Sequence, residues 1–298
     1  MCFRAEPEGL LEELCTALRD NRQSRQRLQP KPLIRCVIFD LDDTLYDCLG
    51  QRVRPSHRHA AEAMVKAGLN ASVEDVFRAR MRAFRKDPML RHIDPAVCMQ
   101  FHAADPEIVC MAAREAYFNC PVGALGLFRG TRPLLRFLHS RGVKVFIVSF
   151  GEPEIQKAKV RALGLENEPA IDRIFYADRD KLLTKEAAFS RIQQELALPS
   201  SEILIVGDRP MREIRAGNEL GMHTVRIRHG EFAAQEPRDE MEEPDYEIRN
   251  ISEVRNLSFR WGAEPKSTTE TRRHGKTGDK SQTGSDREPP KILNRKPW

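Results

Sequence analysis

Two aspartates, Asp40 and Asp42, follow a short apolar run, Val37–Phe39, of β-branched and aromatic residues. Such a run is typical of a central strand in a parallel sheet. Successive strand residues point to opposite faces, so the two aspartates are expected to point the same way. Two carboxylates on one side repel each other unless a cation lies between them or one of them binds a proton. The pair is therefore a candidate for metal binding or acid–base chemistry, although Asp43 or Thr44 could instead cap the next helix.

Two later apolar runs also end in polar residues. The run 143–148 leads to Ser149, and a further run leads to Asp208. Strand and helix patterns alternate in this part of the chain, which predicts an α/β fold, a Rossmann-like doubly wound parallel sheet. Active sites of such sheets lie at the carboxyl ends of the strands, near the switch in strand order. Asp40, Ser149 and Asp208 are therefore expected to meet at one edge.

Between the first strand and the next, the sequence predicts only helices. The region of about 48–128, including a helix over 95–104, has apolar residues at helical spacing and no strand pattern, so we expect an inserted all-helical cap subdomain. We interpret the basic residues of one cap helix as a solvent-exposed face, with contact to a substrate phosphate or carboxylate as the alternative. These residues are Arg78, Arg80, Arg82, Arg85 and Lys86.

The sequence Phe-Asp-Leu-Asp-Asp-Thr-Leu, residues 39–45, resembles the first motif of the haloacid dehalogenase-like superfamily, an apolar strand followed by Asp-x-Asp-x-Thr. Ser149, which follows its own apolar strand, is similar to the second motif. The resemblance covers about residues 33–258. It implies a helical cap of the kind that many phosphatases of the superfamily carry between their first two motifs, which closes over the phosphate.

The stretch 206–213 resembles the fourth motif of the superfamily, with one departure. Glu213 stands where the family pattern has a second aspartate, so the charge is kept but the side chain is one methylene longer. The third element is a lysine that opens the helix before the fourth strand. Lys185, 23 residues before Asp208, fits this position best, and Lys181 is the alternative.

The resemblance implies a phosphatase that uses Mg²⁺ and an aspartyl-phosphate intermediate. Asp40 would be the nucleophile, and Asp42 would protonate the leaving oxygen and then activate water. The metal would be held by Asp40, the Asp42 backbone carbonyl and Asp208, with Glu213 in contact through water or only through another ligand. The substrate phosphate would be bound by Thr44, Ser149 and Lys185.

The acid at position 42 distinguishes between reaction classes. Hydrolytic dehalogenases of the superfamily lack an acid two residues after the nucleophile, because a halide leaves without a proton. Asp42 therefore favours phosphoryl transfer over dehalogenation. A phosphomutase or phosphotransferase and a non-catalytic binding protein stay open as alternatives. We expect the substrate to be a small phosphorylated metabolite, either a sugar phosphate or a nucleotide.

Composition is that of a cytoplasmic protein with an uneven charge. Charged residues make up 31% of the chain and hydrophobic residues 40%, and the sequence has no apolar run of about 18 residues, so we expect neither a membrane span nor a secretory signal. Seven cysteines without a Cys-x-x-Cys pair argue against zinc and a disulfide framework. Residues 263–298 hold nine Lys and Arg against five Asp and Glu, so they contribute +4 of the net charge of +5.

We divide the chain into three parts. Residues 1–32 are predicted to be an N-terminal helical extension, and residues 33–259 the hydrolase domain, with its core in 33–47 and 129–259. Residues 260–298 lose their apolar content and are predicted to be a disordered basic tail. The two ends leave room for a protein partner, whereas neither nucleic acid nor a membrane is expected.

Overall fold

Six strands in the described residues, which are 31–87, 90–177 and 184–262, form one parallel sheet in the computed structural model. The strands in the described ranges are β1 (Leu33–Ile34), β2 (Cys36–Phe39), β3 (Lys144–Phe150), β4 (Arg173–Ala177), β5 (Ile203–Gly207), β6 (His223–Ile227), β7 (Tyr246–Ile248) and β8 (Arg260–Trp261). The order in the sheet is β4-β3-β2-β5-β6-β7. The first strand of this sheet along the chain, β2, lies in the middle. Strands β3 and β4 follow on one side of it, and β5, β6 and β7 lie on the other side. The predicted doubly wound sheet is confirmed.

Helices cover the sheet and fill the segment between β2 and β3. They are α1 (Arg54–Lys66), α2 (Val73–Lys86), α3 (Leu90–Gln100), α4 (Pro106–Phe118), α5 (Thr131–Ser140), α6 (Pro153–Ala162), α7 (Lys185–Leu196) and α8 (Arg215–Glu219). Single π-helical turns precede α1 and α8. The first four helices lie in the region predicted to be the cap, while the cap boundaries themselves stay a prediction.

Strand β2 is buried on both faces, which explains why its sequence shows no polar alternation. Val37 and Phe39 belong to an apolar cluster that includes Leu135 of α5. Ile38 points the other way, into a cluster that includes Phe189 of α7. With helices on both sides, the strand has no face that could carry polar residues until the chain leaves the sheet at its carboxyl end.

The inserted helices have an apolar core of their own. Ala60 and Met64 of α1 belong to one cluster with Val76 and Phe84 of α2 and Val109 of α4. The helix starts follow the sequence signals: Ser72 accepts a hydrogen bond from the backbone N–H of Asp75, and Asp105 does the same for α4. The region therefore packs as a layer of helices, in agreement with the predicted all-helical cap.

Two details of this region differ from the predictions. Helix α3 spans Leu90–Gln100 rather than 95–104, because buried Ile93 and Val97 hold its first turns although Pro95 lies inside it. Arg80 was interpreted as part of a solvent-exposed face but is fully buried and donates to Asp94 at 2.5 Å. The other basic residues of that helix are exposed, as predicted.

The end of the described chain is also more ordered than predicted. Residues 260 and 261 were assigned to a disordered tail, but they form β8 and pair in parallel with Leu33 and Ile34 of β1. The rings of Phe259 and Trp261 pack edge to face, with their centroids 5.6 Å apart. The predicted N-terminal helix and the tail from residue 263 lie outside the described residues, as does the second compact unit of the chain, 264–298. None of the helices in the described ranges has the length and apolar character needed to span a membrane.

Candidate active site

The predicted site residues lie where three neighbouring strands end. Strand β2 lies between β3 and β5, with Phe39 level with Ile147 on one side and Val206 on the other. The backbone N–H of Asp40 donates to the Val206 carbonyl at 2.9 Å. The register therefore brings Asp40, Ser149 and Asp208 to the same edge of the sheet.

Three carboxylates meet at this edge. Oxygens of Asp40, Asp208 and Glu213 all lie within 4.8 Å of one another, and all three residues are buried. Burial raises the pKa of Asp40 to about 6, against the effect of a nearby lysine. Burial also raises the pKa of Asp208, which the other two carboxylates raise further. Within the described residues neither oxygen of Asp208 has a hydrogen-bond partner.

This arrangement fits a hard divalent cation. Carboxylate oxygens in small number, with room for water and phosphate, are the ligands that Mg²⁺ takes in phosphate-handling sites. Buried carboxylates are otherwise costly, and the unsatisfied Asp208 oxygens are the ones that a cation would complete. The predicted metal residues Asp40, Asp208 and Glu213 are thus brought together, whereas the Asp42 carboxylate is not part of this cluster.

Lys185 provides positive charge beside these acids. It is the first residue of α7, is 5% exposed, and donates hydrogen bonds to both Asp40 and Glu213. Burial by itself lowers the pKa of Lys185, but Asp40 and Glu213 outweigh burial and raise it. The structure therefore places Lys185 where the sequence predicted a phosphate-binding lysine. The alternative, Lys181, lies outside the described residues.

Glu213 reaches the cluster because the preceding strand ends in glycine. A Cβ on Gly207 would lie 2.6 Å from Cβ and Cγ of Glu213, closer than side chains can pack. The glutamate lies in the π-helical turn before α8 and also accepts a hydrogen bond from the backbone N–H of Arg209 at 3.2 Å. The absence of a side chain at Gly207 therefore leaves the space that the first atoms of the Glu213 side chain occupy.

The two hydroxyl side chains that were predicted to bind phosphate differ in their partners. The Ser149 hydroxyl is buried and has no hydrogen-bond partner within the described residues. It is thus available to donate to a bound oxyanion. Thr44 was also predicted to contact phosphate, but here its hydroxyl donates to Asp40 Oδ2 at 3.4 Å. In this geometry Thr44 orients the Asp40 carboxylate.

Asp42 has a separate set of partners. Lys159 Nζ lies 2.9 Å and 2.7 Å from its two carboxylate oxygens, and the Tyr46 hydroxyl donates at 2.7 Å. Gln156 Nε2 donates to Oδ2 at 3.3 Å. Burial raises the pKa of Asp42, but Lys159 and the hydrogen bond from Tyr46 outweigh burial and lower the pKa to about 2. Each of the two aspartates therefore contacts its own lysine, Asp40 contacting Lys185 and Asp42 contacting Lys159.

Lys159 and Gln156 were not identified from the sequence. Both lie on α6, three residues apart and hence on one face, in the helix that follows the Ser149 strand. The only signal was that Asp42 needed a positive partner. That helix also contains Lys157, and the sequence offers no reason to choose between the two lysines.

A cavity of about 400 Å³ opens above these residues. Its floor is formed by Asp40, Asp42, Lys185 and Glu213, and the inserted helical region contributes apolar and aromatic walls. Arg209 and Arg212 lie along it and stack on Phe232 and Phe150 at 4.0 Å and 4.5 Å from the ring centres. The remaining wall residues are Val53, Phe84, Tyr117, Met211 and Glu231.

Comparison with known proteins identifies the family of the chain. The family model of haloacid dehalogenase-like hydrolases matches residues 34–221. A glyceraldehyde 3-phosphate phosphatase of Methanopyrus kandleri is 31% identical over 230 residues, which cover 74% of this chain and 96% of that protein. A protein of the same name from Methanocaldococcus jannaschii is 28% identical, with the same two coverages.

Among solved structures, the hydrolase YfnB of Bacillus subtilis, bound to magnesium, superposes with a TM-score of 0.54. It is 21% identical, and the match covers 76% of this chain and 98% of that one. This likeness concerns the fold, whereas the family match spans the strands that carry Asp40, Ser149 and Asp208. The chain belongs to the haloacid dehalogenase-like hydrolases.

Proposed function

We propose that this chain is a Mg²⁺-dependent phosphatase of a small phosphorylated metabolite, a sugar phosphate or a nucleotide, and that it works through an aspartyl-phosphate on Asp40. The observation that carries the proposal is the buried group formed by Asp40, Asp208, Glu213 and Lys185, with the unpartnered Ser149 hydroxyl beside it. The relatives named glyceraldehyde 3-phosphate phosphatase make triose phosphates the first compounds to test.

Each residue has a role that follows from its chemistry. Asp40, oriented by Thr44, attacks the phosphorus atom, while Lys185 and the Ser149 hydroxyl stabilise the phosphoryl oxygens. Asp42 delivers a proton to the leaving oxygen, for which it must first bind one against the lowered pKa that Lys159 imposes, and as a carboxylate it then accepts a proton from water. Asp40, Asp208 and Glu213 would hold Mg²⁺, which when bound supplies positive charge to the phosphoryl group.

Phosphate release from a panel of phosphate esters tests the proposal. The panel contains triose phosphates, hexose phosphates, nucleotides and an aryl phosphate, each with Mg²⁺ and with EDTA. We expect release with Mg²⁺ only, and release at background for Asp40→Asn, because an amide cannot attack phosphorus. Asp75→Asn, an exposed position on α2, is the matched control and should act like the unmodified protein.

Two outcomes would contradict the proposal. One is full activity of Asp40→Asn with its circular dichroism spectrum unchanged. The other is a folded protein whose melting temperature rises with Mg²⁺ but which releases phosphate from no member of the panel. In that case transfer of a phosphoryl group between two sugar positions would be measured next.

A further inference from the structure

The lysine that contacts Asp42 is as deeply buried as the one at Asp40. Lys159 is 5% exposed, and both of its short contacts to carboxylate oxygens are to Asp42. Lys185 is occupied by Asp40 and Glu213. Lys159 therefore does not duplicate the phosphate-side charge. It contacts one carboxylate, that of Asp42, which is not part of the acidic cluster.

The other donors around Asp42 are themselves held in place. The Gln156 side-chain amide also donates to the Phe150 carbonyl at 2.9 Å, which ties it to the end of β3. A Cβ at residue 151 would lie 2.5 Å from Gln156 Nε2, so the glycine there leaves the path of this amide open. Tyr46 is buried and bridges to Leu127, where the chain returns from the helical insertion. Gln156 and Tyr46 each contact one oxygen of the carboxylate, whereas Lys159 contacts both.

We propose that Lys159 is a positioning residue of the reaction, which holds Asp42 as an oriented carboxylate for the water step. The proposal rests on the proposed phosphatase function. In that step water forms a bond to phosphorus and gives a proton to Asp42. The bond between phosphorus and the Asp40 oxygen breaks, its electron pair returns to the Asp40 carboxylate, and inorganic phosphate leaves.

The geometry indicates what removal of the ammonium group would do. Lys159 is the one donor in the described residues that contacts both oxygens of Asp42. Without it, Tyr46 holds Oδ1 and Gln156 holds Oδ2 through a longer contact of 3.3 Å. The carboxylate can then turn about its axis, and a misplacement of about 1 Å costs on the order of 10²-fold in rate.

Three variants test this role. Lys159→Met keeps the length of the side chain and removes the donors, and Lys159→Arg keeps a positive charge with several N–H groups. Lys157→Met is the matched control on the same helix, since the Lys157 side chain is 43% exposed and pairs only with Glu154 among the carboxylates described. For the best substrate of the panel, we expect Lys159→Met to lower kcat by about 10²-fold and to lower KM with it, because the water step enters kcat but not kcat/KM. Lys159→Arg should recover most of kcat, and Lys157→Met should not change it.

A second measurement identifies the step. Because water attack is slowed, Lys159→Met quenched in acid during turnover should carry more covalent phosphoryl group by intact mass than the unmodified protein. Wild-type kcat in folded Lys159→Met, or a loss that falls on KM alone, overturns the inference while leaving the phosphatase intact. If Lys159→Met does not fold, Lys159→Gln takes its place. An unmodified protein that releases no phosphate overturns the proposed function, and this inference with it.

Discussion

Charge at the scale of single residues explains how this site holds so many acids. Two aspartates at the end of one strand would repel each other, and a third acid and a fourth lie close by. Two lysines balance these charges. Asp40 and Glu213 form ion pairs with Lys185, and Asp42 forms an ion pair with Lys159. Asp208 alone keeps buried carboxylate oxygens without a hydrogen bond in the described part of the chain. A bound cation would therefore reduce the electrostatic cost of burial most at Asp208.

Gly207→Ala is the sharpest test of how Glu213 is placed. The added methyl group would overlap Glu213, and we expect a loss of about 1–3 kcal/mol in the free energy of unfolding, together with weaker Mg²⁺ binding. Urea denaturation and the Mg²⁺-dependent rise in melting temperature measure the two effects. Gly123→Ala, whose Cβ would meet no atom within 4 Å, is the control. Equal stability of the two variants would mean that Glu213 can move aside freely.

At the scale of elements, the helical insertion is organised by an ion pair as well as by its apolar core. Arg80 of α2 and Asp94 of α3 are both buried, with side chains 0% and 6% exposed. Each neutralises the other, and Arg80 Nη1 also lies 3.2 Å from the sulfur of Met64. The helix carries four exposed basic residues besides the buried Arg80. The sequence pattern therefore did not distinguish Arg80 from its exposed neighbours.

Breaking this pair should cost more than replacing it. We expect Asp94→Leu alone to lower the free energy of unfolding by about 3–5 kcal/mol, because it leaves a buried, uncompensated guanidinium group. Adding Arg80→Met to Asp94→Leu should restore part of that loss. Arg78→Met on the same helix, which removes only exposed ion pairs, should cost less than about 1 kcal/mol.

Chemical denaturation of the four proteins decides the matter. A double variant less stable than Asp94→Leu alone would show that the charge of Arg80 is stabilised by something other than Asp94. Activity is a useful second readout, since Phe84 of the same helix lines the cavity.

At the scale of the whole molecule, the two ends of the described chain meet. Strand β8 pairs with β1. In the chain, β1 directly precedes β2, the strand that leads to Asp40. Phe259 is buried and stacks with Tyr246 of the edge strand β7 at 5.2 Å, while Trp261 packs against Phe137 of α5. Phe259 and Trp261 thus pack against the apolar core from outside the six-stranded sheet.

Phe259→Ala measures the contribution of this closure. Removing a buried aromatic ring leaves a cavity, and we expect a loss of about 3–5 kcal/mol in the free energy of unfolding. Phe118→Ala, at a 47% exposed position of α4, should change stability by less than about 0.5 kcal/mol. Urea denaturation compares them, and similar midpoints for both variants would mean that β8 packs too loosely to matter.

The sequence by itself determined the strands of the six-stranded sheet, their parallel arrangement and the meeting of Asp40, Ser149 and Asp208, but not the pairing of β8 with β1. These follow from local patterns, because apolar runs report burial and all parallel strands place their carboxyl ends at one edge. Only the tertiary structure decided which charges pair. Lys159 and Asp42 are 117 residues apart, and Arg80 looked like its exposed neighbours until Asp94 was placed beside it. Periodicity reports whether a position is buried, but a partner is chosen by the packing of whole elements against each other.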